Sequence, residues 1–460
     1  MNGQISNNDE SKNPLGSASI GKLIPKFAIP AMISMLVAST YNIVDQIFIG
    51  QGVGLLGNAA TNIAFPIAIF CTAMALLLGI GGASNYNLES GRGNTEKAAK
   101  IAGTALSMLL ICSCTYAVLV LIFLRPLLQI FGVTAEILPY ALDYTGITAF
   151  GIPFLVVTTG GNHLIRADRS PTYSMISIVS GAIINTILDP LFIFGFGWGI
   201  KGAAIATVIG QVFSGLMVAF YFIKMKKMNL TLHRLKPVGS YIKAILSLGL
   251  AAFVNQIAFA LVQIAMNNTL RHYGADSIYG TEIPLACAGV ISKVTAIFMS
   301  FCIGLSQGCQ PIYGFNYGAK KYDRVEKAWK TAMISALGFG TFFGLAFQIF
   351  PRQIVSIFGS GDEVYYHFAE RYFRIFLMMT FINGIQPLSS GFFTSIGKAK
   401  RGIIISLTRQ VIFLTPLILI FPIFMGIDGF MYAGPIADFA SAATALGLGV
   451  REIRSMRRLT

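Results

Sequence analysis

Five ionisable side chains fall well inside long apolar stretches: Asp45, Asp189, Lys293, Arg409 and Asp438. A charge at the centre of a membrane helix costs about 2.5–3.5 kcal/mol on insertion scales, so such a group is kept where it meets an ion, a proton or a partner. Asp189 sits in "NTILDPLFIFG" (185–195) and is the only charge between Arg169 and Lys201. Asn185 precedes it by four residues, which puts both on one helix face. If the apolar stretches are helices that end near Gly50 and Trp198, Asp45 lies about one turn, and Asp189 about two turns, below that membrane face. Thr207, about two turns into the next stretch, lies at a matching depth. Asp45, Asn185, Asp189 and Thr207 therefore make a set of four oxygen donors. Two carboxylates at close range do not both stay charged without a counter-ion, so the set suits a shared proton or a hard monovalent cation such as Na⁺ held by Asp45 and Asp189. A static polar contact that only ties helices together is the competing reading.

Asp438 and Lys293 sit at similar depth in the second half of the chain. They are expected to pair, or to line a substrate route. Arg409 lies deeper, and no role is assigned to it. Pro30, in "KFAIPAMIS", removes a backbone hydrogen bond inside the first apolar stretch and marks a place where that helix bends.

The elements that must position these groups follow from composition. Of 460 residues, 55% are hydrophobic and only 12% are charged, against about 25% charged in a soluble domain. Twelve stretches are long enough for the roughly 20 apolar residues that a spanning helix needs. They run about 22–50, 58–88, 98–124, 138–163, 171–196, 200–224, 240–271, 283–316, 326–350, 366–394, 402–425 and 428–450. No soluble domain is left over. Residues 1–21 are polar, lack the pattern of a cleavable signal, and are expected to form a disordered tail.

The net charge of +15 is a topology signal. Lys and Arg crowd alternate connections: Arg92, Lys97 and Lys100, then Lys224, Lys226 and Lys227, then Lys320, Lys321 and Arg324, then Arg451, Arg454, Arg457 and Arg458 at the end. Basic loops stay in the cytoplasm, so both termini are expected there, in the inner membrane. No basic patch interleaved with aromatics supports nucleic-acid binding. The six cysteines lie in apolar runs, and the four histidines are scattered. That pattern suggests neither disulfides nor a metal cluster. No cofactor is expected. The chain carries no HExxH or Gly-x-Ser-x-Gly motif, and is read as a non-enzyme.

The two halves echo each other. "IFGVTAE" (130–136) returns as "IFGSGDE" (357–363), and "GIKGAAIA" (199–206) as "GIDGFMYA" (426–433), both 227 residues later. Two matches at one offset, spanning six stretches, indicate a parallel duplication of the kind secondary transporters use. The expected fold is an all-α polytopic membrane protein of twelve transmembrane helices in two pseudo-symmetric six-helix lobes. The N-lobe spans 22–227, a cytoplasmic linker 228–240, the C-lobe 241–453 and a basic tail 454–460.

"FAIPAMISMLVASTYNIVDQIFIG" resembles the first helix of multidrug and toxic compound extrusion (MATE) transporters. "NTILDPLFIFGFGWGIKGAAIATVIGQ" resembles their helices 5 and 6. The resemblance covers essentially the whole chain, and points to the prokaryotic branch with an N-lobe aspartate pair. It implies a V-shaped, two-lobe antiporter that works by alternating access. Such a protein would export organic compounds, expected to be cationic and amphipathic, against Na⁺ or H⁺ influx. By position it assigns Asp45, Asn185, Asp189 and Thr207 to the cation site, with Tyr41 and Tyr144 beside them. It puts Asn162 on the substrate route and the bending point at Pro30. Helix 7, "VNQIAFALVQIAMNNTL", carries no acid, so coupling there is not expected. Asp438 and Lys293 depart from the family pattern. A monomer in the lipid bilayer, with small organic substrates, is the expected working state. A lipid-linked oligosaccharide flippase of the same superfamily is the alternative.

Overall fold

Long apolar runs in lipid have only their own backbone to satisfy N–H and C=O groups, so they become helices. A computed structural model describes residues 13–358 and 361–459, and among these no strand occurs. The spanning helices are Ile20–Gly52 (α1), Leu55–Gly91 (α2), Thr95–Ile122 (α3), Leu138–Ala167 (α4), Pro171–Gly195 (α5), Gly199–Met225 (α6), Gly239–Ala275 (α7), Glu282–Gly318 (α8) and Tyr322–Ile349 (α9). The last three are the broken helix Glu363–Phe376 with Thr380–Ser395 (α10), bent by 48°, then Ala399–Met425 (α11) and Ile427–Arg457 (α12). Large apolar side chains such as Ile122, Phe342 and Phe424 remain exposed, which suits a bilayer and not water. This is the expected polytopic all-α fold of twelve spans.

Each six-helix half has its own core. Leu109, Val156, Leu164 and Val218 anchor the N-lobe. Phe298, Phe368, Phe373 and Phe430 anchor the C-lobe. The lobes meet where α2 crosses α7 and α1 crosses α8. Without a hydrophobic force between helices in lipid, small residues let backbones approach. A Cβ on Gly249 (α7) would lie 1.7 Å from the Leu77 carbonyl oxygen (α2), and one on Gly304 (α8) would lie 2.5 Å from Met32 Cα (α1). Both approaches lie in the half of the helices that ends on the Lys- and Arg-rich face, here called the basic face.

Two boundaries differ from the sequence expectation. Residues 1–12 of the expected tail lie outside the described residues, but 13–19 are built into the fold. Asn13 caps the turn Pro14–Ser17, accepting from the Leu15 amide at 3.1 Å, and Leu15 is buried. Arg324 donates to the Leu15 and Ala18 carbonyls at 3.1 and 2.6 Å, and Asn316 to Leu15 at 2.9 Å. The N-terminal turn thus hooks onto the C-lobe. At the other end α12 continues through Arg457, so most of the expected basic tail is helix.

Candidate functional site

Asp189 and Asp45 are positioned by the same device. Each stands four residues before an isoleucine, Ile193 and Ile49, and these two pack together with Ala203 in one small cluster. The contact is tight, since a Cβ on Gly52 would lie 2.1 Å from Ile193 Cγ2. Beyond Asp189, Pro190 leads into a π-helical turn, Leu191–Gly195. Such turns are rare and often mark functional sites. The ends of α1 and α5 are therefore pinned, and one turn further in the two carboxyl groups stand beside each other.

Asp189 is fully buried and Asn185 nearly so. Asn185 Nδ2 donates to Asp189 Oδ1 at 3.1 Å and to Thr207 Oγ1 at 3.4 Å. Tyr41 and Tyr144 both stand near the two carboxylates, and the Tyr144 hydroxyl lies beside Thr207. All six residues expected here are brought together. Asp45 Oδ1, Asn185 Oδ1 and Asp189 Oδ2 are buried with no hydrogen-bond donor. Three unsatisfied acceptors, two of them on acids, are oxygen donors of the kind that suits a proton or a hard cation such as Na⁺.

Other expected residues lie elsewhere. α1 runs as one helix through Pro25 and Pro30, and Ser34 Oγ donates to the Pro30 carbonyl at 2.8 Å. Asn162 is 1% exposed and accepts from Ser177 Oγ at 3.0 Å, on the basic-face side of the cation site. Asp438 does not pair with Lys293. Arg409 Nε donates to Asp438 Oδ1 at 2.6 Å, and Asn383 Nδ2 to Asp438 Oδ2 at 3.2 Å. A π-helical stretch in α11, Thr408–Leu414, widens the turn that carries Arg409. Lys293 is half-buried and has no ion pair among the described residues. It stands two turns from Ser300 on the same face of α8, and Ser300 meets Ser39 of α1 at 2.8 Å.

Sequence reasoning missed one group. Arg166 reads as a loop residue, yet it occupies the last turn of α4 and is 2% exposed. Its nearness to a basic connection hid it among the topology signals.

Residues 30–191 and 251–420 match the MatE family model. The chain is 24% identical to the multidrug export protein MepA of Staphylococcus haemolyticus over 95% of each chain. It is 24% identical to an FAD transporter of Shewanella oneidensis over 98% of this chain and 99% of that one. It superposes, at a TM-score of 0.90 and 23% identity, on the outward-facing conformation of a multidrug resistance MATE family transporter of the MOP superfamily, covering 96% and 98% of the two chains.

Proposed function

The chain belongs to the MatE family, a transporter and not an enzyme, and from that premise we propose that it exports amphipathic organic compounds against an influx of Na⁺ or H⁺ bound between Asp45 and Asp189. The observation that carries this reading is the trio of orphaned oxygens on Asp45, Asn185 and Asp189. A site that is incomplete without a positive charge is a site that senses an ion gradient. The membrane potential adds about 2.3 kcal/mol per charge per 100 mV. Loading the site offsets one of the two negative charges on α1 and α5 and relieves their repulsion, which favours one arrangement of the lobes. Discharge on the other side favours the opposite one, and the cargo moves against the ion by alternating access.

The basic face is assigned to the cytoplasm on its Lys and Arg content, which puts both termini inside a bacterial inner membrane. A single chain suffices for the site, since every residue in it comes from the N-lobe. The named relatives carry drugs in one case and FAD in another, so the cargo is an organic compound with aromatic or amphipathic character. Cations such as ethidium are the first class to test. In proteoliposomes of the full chain, an imposed Na⁺ or pH gradient drives ethidium transport. Asp45→Asn and Asp189→Asn insert normally and lose that drive. Gradient-driven transport at the wild-type rate in either variant overturns the coupling assignment.

A further inference from the structure

Among buried acids, Glu89 is held by Arg92 and Lys97, Glu452 by Lys398 and Arg401, and Asp438 by Arg409. Asp168 accepts from Tyr221 Oη at 2.8 Å and from the Lys227 amide at 2.6 Å. Asp189, with Asp45, forms the cation site. Every buried acid thus has a function or a partner. Arg166 is buried with no acid beside it, and the half-buried Lys293 described above has none either.

Arg166 is the more telling of the two. Its guanidinium is met only by neutral acceptors. Nη1 donates to Ser174 Oγ at 2.9 Å, and Nη2 faces His163 Nδ1 at 3.1 Å and donates to Gln307 Oε1 at 3.0 Å, while Nε has no partner. Ser174 and His163 belong to the N-lobe, but Gln307 belongs to α8 of the C-lobe. Gln307 is itself loosely held: its amide nitrogen rests only on Met35 Sδ, at 3.9 Å. A buried cation without an anion is costly. The arrangement is economical if the anion arrives from outside, and Gln307 takes its place when the lobes are closed.

We propose that Arg166, with His163 and Ser174, is a cargo subsite for an acidic group, carboxylate or phosphate, and that Gln307 displaces this group when the lobes close on the basic face. The proposal rests on the export reading and extends it to amphipathic compounds that carry an acid. When α8 parts from α4, Gln307 leaves with the C-lobe and the guanidinium is left with unsatisfied N–H groups. An incoming oxyanion satisfies them with charge-assisted hydrogen bonds. When the seam closes again, the Gln307 carbonyl returns and the anion is expelled toward the opposite face. There Lys293, on the face of α8 that meets α1, is the next cation along the route.

The test uses two dyes, carboxyfluorescein as the acidic probe and ethidium as the cation. Purified full-length protein binds carboxyfluorescein, followed by fluorescence polarisation. Arg166→Gln weakens that binding about tenfold or more, the loss expected when charge-assisted hydrogen bonds to an oxyanion go. Arg166→Lys recovers part of it. Gln307→Glu, which sets a carboxylate of the protein's own against the guanidinium, weakens it as Arg166→Gln does. In proteoliposomes the ratio of carboxyfluorescein to ethidium transport falls by a similar factor in Arg166→Gln. Three results overturn the proposal: no carboxyfluorescein binding by the wild type, an equal loss of both dyes in Arg166→Gln, or displacement of the dye by inorganic phosphate at equal concentration, which marks a simple anion site. Binding needs no gradient, so a failure of ion coupling shows up separately, as ethidium transport that ignores the gradient.

Discussion

Arg409 donates from Nε to Asp438 Oδ1 at 2.6 Å, with both residues at or below 9% exposure and Asn383 completing the acid's second oxygen. The contact ties α10, α11 and α12 together, and it contrasts with the acids of the N-lobe, which face each other. The C-lobe acid carries its counter-charge within the fold, whereas the proposal for the N-lobe pair is that an ion supplies it. Removing one member of a buried ion pair strands the other and costs about 3–5 kcal/mol. Asp438→Asn and Arg409→Gln are therefore each expected to lower the thermal unfolding midpoint sharply. The double replacement Arg409→Met with Asp438→Leu regains most of the loss, because no charge is left buried. Single variants that melt with the wild type would show the pair to be dispensable for stability.

At the N-lobe pair the prediction concerns ligand-linked stability. If Na⁺ is the coupling ion, purified protein gains RT ln(1 + [L]/Kd) on adding it, about 2.7 kcal/mol at a hundredfold excess over Kd. The gain vanishes in Asp45→Asn and in Asp189→Asn, and K⁺ or choline does not reproduce it. If the wild type shows no gain with Na⁺ while its transport follows a pH gradient, the proton is the coupling ion.

Much of this was legible in the residues. Apolar runs of membrane length gave the helices, and depth counting from Gly50 and Trp198 brought Asp45, Asn185, Asp189 and Thr207 together, because α1 and α6 are regular over the counted turns and the irregularity in α5 is confined to the single π-helical turn Leu191–Gly195. The same counting failed for Asp438 and Lys293. Equal depth does not mean a shared face, and the π-helical stretch at Thr408–Leu414 turns Arg409 toward Asp438 in a way no regular period predicts. Arg166 was hidden for a different reason. A basic residue near a helix end at the basic face reads as a topology signal, and only tertiary packing reveals that it is buried. The N-terminal turn escaped because a polar composition says nothing about a partner 300 residues away.

That turn makes a third prediction. Arg324 holds the Leu15 and Ala18 carbonyls, and Lys321 Nζ adds a bond to Gly16 at 3.1 Å. Arg324→Ala removes two of these charge-assisted bonds, each worth about 1.5–3 kcal/mol. The amides of Leu15, Gly16 and Ala18 are bonded within the turn, and their hydrogen exchange is expected to speed up by at least tenfold in the variant. Exchange at the wild-type rate would mean that the turn holds itself without the C-lobe.

The last prediction bears on the seam between the lobes. A Cβ at Gly249 would lie 1.7 Å from the Leu77 carbonyl oxygen, and that obstacle is backbone, not a side chain that swings away. Gly249→Ala therefore cannot be absorbed by a rotamer change; α7 and α2 must separate. Overpacking of this kind typically costs about 1–3 kcal/mol, and it is charged only to the state in which the seam is closed. Since about 1.4 kcal/mol is tenfold in an equilibrium constant, the equilibrium should shift toward the basic-side-open state by roughly five- to a hundredfold relative to the wild type. Spin labels on Lys100 and Lys320, one in each lobe and both on the basic face, report this as a shift to longer distances. Gly239 and Gly338, where a Cβ meets nothing within 4 Å, are the control positions: alanine there leaves the distances alone. If Gly249→Ala folds and its label distances match the wild type, the contact of α2 with α7 is not what holds the lobes closed on that side.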